Sequence, residues 1–139
     1  MIFLSQLLKV PIVDSKQEEI GTVKDLIVES SEKGYPQMSG IVFNLKGKRN
    51  VIPYKCIETL GYGEITLKKT NCWKQDYELS DKEFLLHDIL DQQIFDVEGI
   101  RVVRVNDLEL VKIKEDFFLV GIDVSNRALL RRLGLVNLP

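Results

Sequence analysis

The sequence predicts a mainly β fold, a small β-barrel unit duplicated in tandem, with short helices at the start of each repeat and at the C-terminus. Three observations predict it. Residues 3–28 and 85–110 carry one pattern at a single ungapped offset of 82, so that Asp14 and Asp25 match Asp96 and Asp107. Leu4, Leu8, Ile12, Val23 and Leu26 meet Leu86, Leu90, Ile94, Val105 and Leu108 in the same register, as expected of a repeated structural unit. After a helical opening, each copy changes to the two-residue alternation of a strand, then offers a return strand with Gly before a branched apolar residue, Gly40-Ile41 and Gly121-Ile122.

The elements follow in order. Phe3, Leu4, Leu7 and Leu8 have helical spacing, and Pro11 ends that turn. The alternation around Val23, Asp25, Ile27 and Glu29 predicts a long strand, Ser30–Gly34 a turn, and 37–45 the returning strand. A tight Lys46-Gly47-Lys48 turn leads into a strand over 49–53, a turn over 54–57 and a strand over 62–68. Residues 69–79 form a connection, with Trp73 and Tyr77 expected to cover barrel ends. In the second copy Ser80-Asp81-Lys82-Glu83 reads as a capping box opening a helix, with Leu85 and Ile89 on its buried side. Long strands are expected at 102–113 and 117–124, joined at Lys114-Glu115-Asp116. Ser125 caps a final helix through Leu133, closed by Gly134. The organisation is therefore 1–70 as a first barrel unit, 71–83 as linker, and 84–139 as a second, partial unit lacking the last hairpin of the first.

Length and composition bound the function. A chain of 139 residues with 45% apolar and 29% charged residues fits one domain or two small ones. A net charge of −2 gives no general pull toward nucleic acid or anionic lipid. No apolar run approaches the ~20 residues needed to span a bilayer, and MIFLSQLLKVP has neither a basic leader region nor a cleavage site. Cys56 and Cys72 form no CxxC pair and are expected as two reduced thiols in a cytoplasmic protein. The apolar tail, with Leu129, Leu130, Leu133, Leu135, Val136 and Leu138, suggests that the natural chain continues past Pro139.

Asp14, Ile20, Gly21, Val23, Asp25 and Leu26, then Gly40-Ile41-Val42, then Val51-Ile52-Pro53 with Ile57 and Gly61, form an ordered pattern. It resembles the PRC-barrel family, a small β-barrel of the photosynthetic reaction centre H subunit and of the ribosome-maturation protein RimM. The second copy supplies Asp96, Gly99, Val102, Val105, Asp107 and Leu108. The family pattern has Gly where this chain has Gln17 and Val103. The resemblance covers residues 7–68 closely and 85–124 partially, and it implies a duplicated PRC-type barrel. A narrower resemblance, carried by 86–90 with 93–96, 101–108, 119–124 and Leu129-Leu130-Arg131-Arg132-Leu133-Gly134, is to the N-terminal region of MgtE-like, CBS-domain-containing magnesium-transporter homologues. It implies a regulatory or adaptor region whose partners are downstream domains of the same polypeptide, of the MgtE N-terminal and CBS-like kind.

Candidate chemistry is sparse. Asp14, Asp25, Asp96 and Asp107 are the carboxylates placed by the repeat; converging, they could ligate Mg²⁺, which takes one or two carboxylates and keeps several waters. The plainer reading has Asp14 and Asp96 accepting N–H bonds in turns, and Asp25 and Asp107 doing so at strand bends. His87 is the sole histidine, so no Ser-His-Asp or Cys-His relay is signalled, and Gly61-Tyr62-Gly63 is too short to cradle phosphate. Lys46, Lys48 and Arg49 at one hairpin tip, with Arg127, Arg131 and Arg132, would bind RNA only if interleaved with stacking aromatics such as Tyr54 or Tyr62.

The expected function is a non-enzymatic cytoplasmic regulatory or protein-interaction module of a magnesium-transport-related protein, the alternative being an RNA- or ribosome-associated adaptor. No cofactor is expected unless Mg²⁺ binds, nor DNA, nor membrane contact by this segment; RNA is disfavoured and a homodimer is open. A barrel missing a hairpin leaves strand edges that must be covered. The candidates are the first unit, the terminal helix or a second chain. The expectation is that the two units pack face to face and that Ser125, Arg127, Leu130, Arg131 and Leu133 form a partner surface.

Overall fold

Two long β-hairpins organise the fold, each built from runs rich in strand-forming residues. A computed structural model describes residues 2–32, 34–90, 93–95 and 102–124, with the backbone alone at 93–95, 102–104 and 122–124. The first hairpin is β3 (Glu19–Ser31) with β4 (Gly34–Leu45), and the second is β11 (Val102–Ile113) with β12 (Asp116–Val124). The short elements are β1 (Ile2–Phe3), α1 (Leu4–Leu7), β2 (Pro11–Val13), β5 (Lys48–Pro53), β6 (Ile57–Leu60), β7 (Ile65–Leu67), β8 (Lys74–Gln75), β9 (Glu83–Leu85) and β10 (Gln93–Phe95). Single 3-10 turns lie at Tyr54–Cys56 and Leu86–Asp88.

The fold is mainly β. The strands join in one sheet ordered β1-β11-β12-β4-β3-β2-β7-β6, curled as a half-barrel, with β5 on the other side of β4 and β9 on β3. The main core fills the concave side with Leu4, Leu7, Ile12, Leu26, Met38, Ile41, Phe43, Ile52, Ile65, Leu86 and Leu108, all fully buried. Ile27, Val42 and Val51, with Leu85 against them, form a smaller cluster on the opposite face of β3 and β4. Burying both faces of this hairpin explains why residues 25–28 are all buried despite the alternation. Bulges between Val23 and Asp25 and between Ile27 and Val28 shift the pleat there.

Several sequence expectations change. The capping box does not open a helix: Glu83 reaches back to the Ser80 N–H (3.1 Å), but residues 83–85 pair with β3 as a strand and the helical turn begins only at Leu86. Leu86, rather than Leu85, is therefore the core residue of that segment. The reason is the exposed edge of β3, which satisfies the backbone groups of 83–85 before a helix can. The strand expected over 62–68 is a hairpin of β6 and β7, with Tyr62 in the exposed turn. The two hairpins contribute to one core, and they also meet edge to edge, β12 on β4 at Phe118 and Gln37. The final helix expected at 125–133 lies outside the described residues.

Candidate functional site

Three of the four repeated acids lie in the described residues, and each accepts backbone N–H groups. Asp14, buried at the end of β2, takes the N–H groups of Lys16 (2.9 Å) and Glu18 (3.0 Å), closing the turn into β3. Asp25 takes Leu26 (2.8 Å) and His87 (3.0 Å). Asp107 takes Leu108 (2.9 Å) and Ser5 (3.0 Å), and the Ser5 hydroxyl donates to its second oxygen. Asp96 lies outside the described residues.

The partners of Asp25 and Asp107 fall at equivalent positions, because Ser5 and His87 are themselves 82 apart. Asp25 of the first hairpin holds the 3-10 turn that opens the second stretch of sequence, while Asp107 of the second hairpin holds α1. The ladders obey the same exchange. Phe3 and Ile2 of β1 pair with Glu109 and Leu110 of β11; Leu85 and Phe84 of β9 pair with Ile27 and Val28 of β3. Under the offset of 82 these are the same pairs. Bulges recur at Val105/Asp107 and Glu109/Leu110. The place of Gly40 opposite Ile27 is taken by Gly121 opposite Glu109. At Gly40 a Cβ would lie 3.1 Å from the Ile52 carbonyl oxygen, which leaves little room for a side chain.

Burial pushes the Asp25 carboxyl above its ordinary value of 3.8, against the opposing pull of the Leu26 and His87 N–H groups. A second polar knot secures the same crossing: Glu83 accepts from Ser39 (2.7 Å), from the Tyr77 hydroxyl (2.7 Å) and from the Ser80 N–H. Burial works to raise the Glu83 carboxyl, but these donors outweigh it and hold it below its ordinary 4.5.

Cys56 and Cys72 are joined in a disulfide, with Cα atoms 6.5 Å apart, which corrects the expectation of two reduced thiols. The bond ties the first 3-10 turn to the connecting segment, where Trp73 meets the Phe43 ring edge-on at 5.7 Å. Trp73 packs against the core as the sequence anticipated, whereas Tyr77, expected beside it as a cover, is exposed and bonds Glu83 instead. The cysteine pairing was not legible in the sequence, since a separation of 16 says nothing about where the chain returns.

The surface carries open grooves. One of about 600 Å³ runs between the first 3-10 turn and the tip of the β11–β12 hairpin, lined by Tyr54, Lys55, Glu58, Lys68, Lys112 and Asp116. The Tyr54 hydroxyl spans it to the Glu115 carbonyl at 2.6 Å. Another of about 420 Å³ brings Lys46 and Lys48 beside Asn71, Trp73 and Gln75. Among the described residues no three of His, Cys, Asp and Glu stand together as a metal-ligand set. The donor arrangement seen at Asp14, Asp25 and Asp107 is thus three separate backbone-holding sites. Ser125, Arg127, Leu130, Arg131 and Leu133 lie outside the described residues. No helix among the described residues is long and apolar enough to cross a membrane. Sequence reasoning missed the roles of Ser5 and His87, and those of Glu83 beyond its bond to Ser80, because they depend on contacts between residues up to 102 positions apart. In comparisons with known proteins, no protein-family model and no curated protein matches this chain.

Proposed function

We propose that this chain is a non-enzymatic protein-interaction module, a duplicated PRC-type barrel serving a larger, magnesium-transport-related protein of the MgtE-like kind. One observation carries this reading. Gly40–Phe43 of β4 is paired with β3 on one edge and covered by β5 on the other, whereas Leu119–Val124 of β12 pairs with β11 on one edge and, among the described residues, has no ladder partner on the other. A strand edge of that length is a template for pairing, and the polypeptide downstream of Val124 is its nearest occupant. The repeated acids support the same reading, since their oxygens are used in holding backbone together.

The test supplies the helical MgtE N-terminal domain and CBS pair in trans to the isotopically labelled chain. Saturable binding that protects the Leu119–Val124 amides from exchange is expected. Absence of binding at millimolar concentration overturns the proposal. A second reading, an RNA- or ribosome-associated adaptor, draws on the groove where Lys46 and Lys48 flank Trp73. It predicts binding to structured RNA that weakens steeply with salt, lost on Lys46→Ala/Lys48→Ala substitution.

A further inference from the structure

The crossing of the two N-terminal segments has a consequence for association between chains. The arm made of β1 and α1 docks on β11, a strand about a hundred residues further along. Its counterpart, β9 with its 3-10 turn, docks on β3 in the same register and on the same type of carboxylate. Each hairpin therefore accepts an arm that belongs to the other stretch of sequence, the geometry of a pair of units that exchange arms. The hairpins themselves meet through Phe118 and Gln37, and this pair maps onto itself at an offset of 81, placing a local two-fold axis at the contact.

The two arms are not held alike. The second is anchored on its N-terminal side: β8 pairs with β5, Ser30 donates to the Lys82 carbonyl oxygen, and the disulfide fixes Cys72 beneath the core. The first is held by two ladder pairs, the Ser5–Asp107 bonds, and the burial of Ile2, Leu4 and Leu7. It joins β2 through Lys9, whose φ of 72° lies in the left-handed region that side chains other than glycine disfavour. A hinge that must be bent into that conformation to close the arm onto its own chain is relieved when the arm extends.

We propose that the acceptor surface on β11, formed by Glu109, Leu110 and the Asp107 carboxylate, takes the 2–8 arm of a second copy of this chain, giving a reciprocal arm-exchanged dimer. The partner is a second copy because the acceptor register, the Ser5 hydroxyl and N–H, and the Leu4 and Leu7 plugs are met by that same segment. The dimer retains the ladder, carboxylate and apolar contacts of the arm and gives up only bonds at the hinge, such as that from the Val10 N–H to the Leu7 carbonyl. This inference does not depend on the role proposed above.

The test uses the full chain, unfolded and refolded at millimolar concentration with the disulfide intact, as a mixture of ¹³C-labelled and unlabelled protein. A dimer by sedimentation is expected, with isotope-filtered NOEs between Ile2 of one chain and Leu110 of the other. Lys9→Gly, which frees the hinge, is expected to lower the dimer fraction at fixed concentration by about fivefold. A dimer lacking the Ile2–Leu110 NOEs, a strictly monomeric protein, or a dimer fraction unchanged by Lys9→Gly overturns the proposal.

Discussion

At the scale of single residues, the acids that repeat in this sequence act as backbone acceptors, and that use is testable. Removing Asp107 as Asp107→Ala leaves the Ser5 and Leu108 N–H groups without their acceptor, and a loss of about 1–3 kcal/mol is expected by urea denaturation. Asp107→Asn keeps one acceptor oxygen and should cost less. If Mg²⁺ at millimolar concentration raised the melting temperature of the wild type but not of Asp25→Asn/Asp107→Asn, these acids would instead be metal ligands. The two shifted carboxyls oppose one another in acid. Asp25 titrates above its ordinary 3.8 in the fold, so the native state takes up the proton first and this residue's contribution rises as pH falls through its folded pKa. Glu83 titrates below 4.5, so its contribution is present above 4.5 and is lost as pH falls through its folded pKa. Stability curves between pH 7 and pH 3 should therefore fall less steeply for Glu83→Gln than for wild type, and more steeply for Asp25→Asn. Gln17 illustrates how sequence and structure meet at one residue. Its φ is 68°, a conformation glycine adopts freely, and Gln17→Gly should add about 0.5–1 kcal/mol, read as a higher denaturation midpoint.

At the scale of elements, the long strands and β5 were legible and most of the shorter ones were not. The alternation over 102–113 predicted β11 with its observed bounds, because twelve residues of one period outweigh local noise. Residues 80–91 carried a capping signal and apolar residues at helical spacing, yet 83–85 became a strand. A capping box stabilises a helix by about a kcal/mol, whereas three residues added to an open strand edge satisfy their backbone groups and bury Phe84 and Leu85 in part. Gly21 shows how closely the elements approach: a Cβ there would lie 2.9 Å from the Phe43 ring. Gly21→Ala should destabilise by about 1–3 kcal/mol and move Phe43 against Trp73, visible as a change in tryptophan fluorescence.

At the scale of the whole molecule, crossed arms make the two hairpins dependent on each other. Neither hairpin keeps its arm if the other unfolds, so calorimetry should show one transition with matching calorimetric and van't Hoff enthalpies, not two. The disulfide closes a span of 16 residues, and its reduction should lower stability by about 3 kcal/mol on loop entropy.

The sequence by itself determined the β character, the long hairpins and the acids that act as backbone acceptors, because strand periodicity and local turn chemistry act over a few residues. Only the tertiary structure decided that each opening segment lies on the opposite hairpin, that Cys56 finds Cys72, and that Asp25 and Asp107 serve His87 and Ser5. Those contacts join residues far apart in the chain, and their partners are chosen by which strand edges and buried acceptors are still unsatisfied when the hairpins meet.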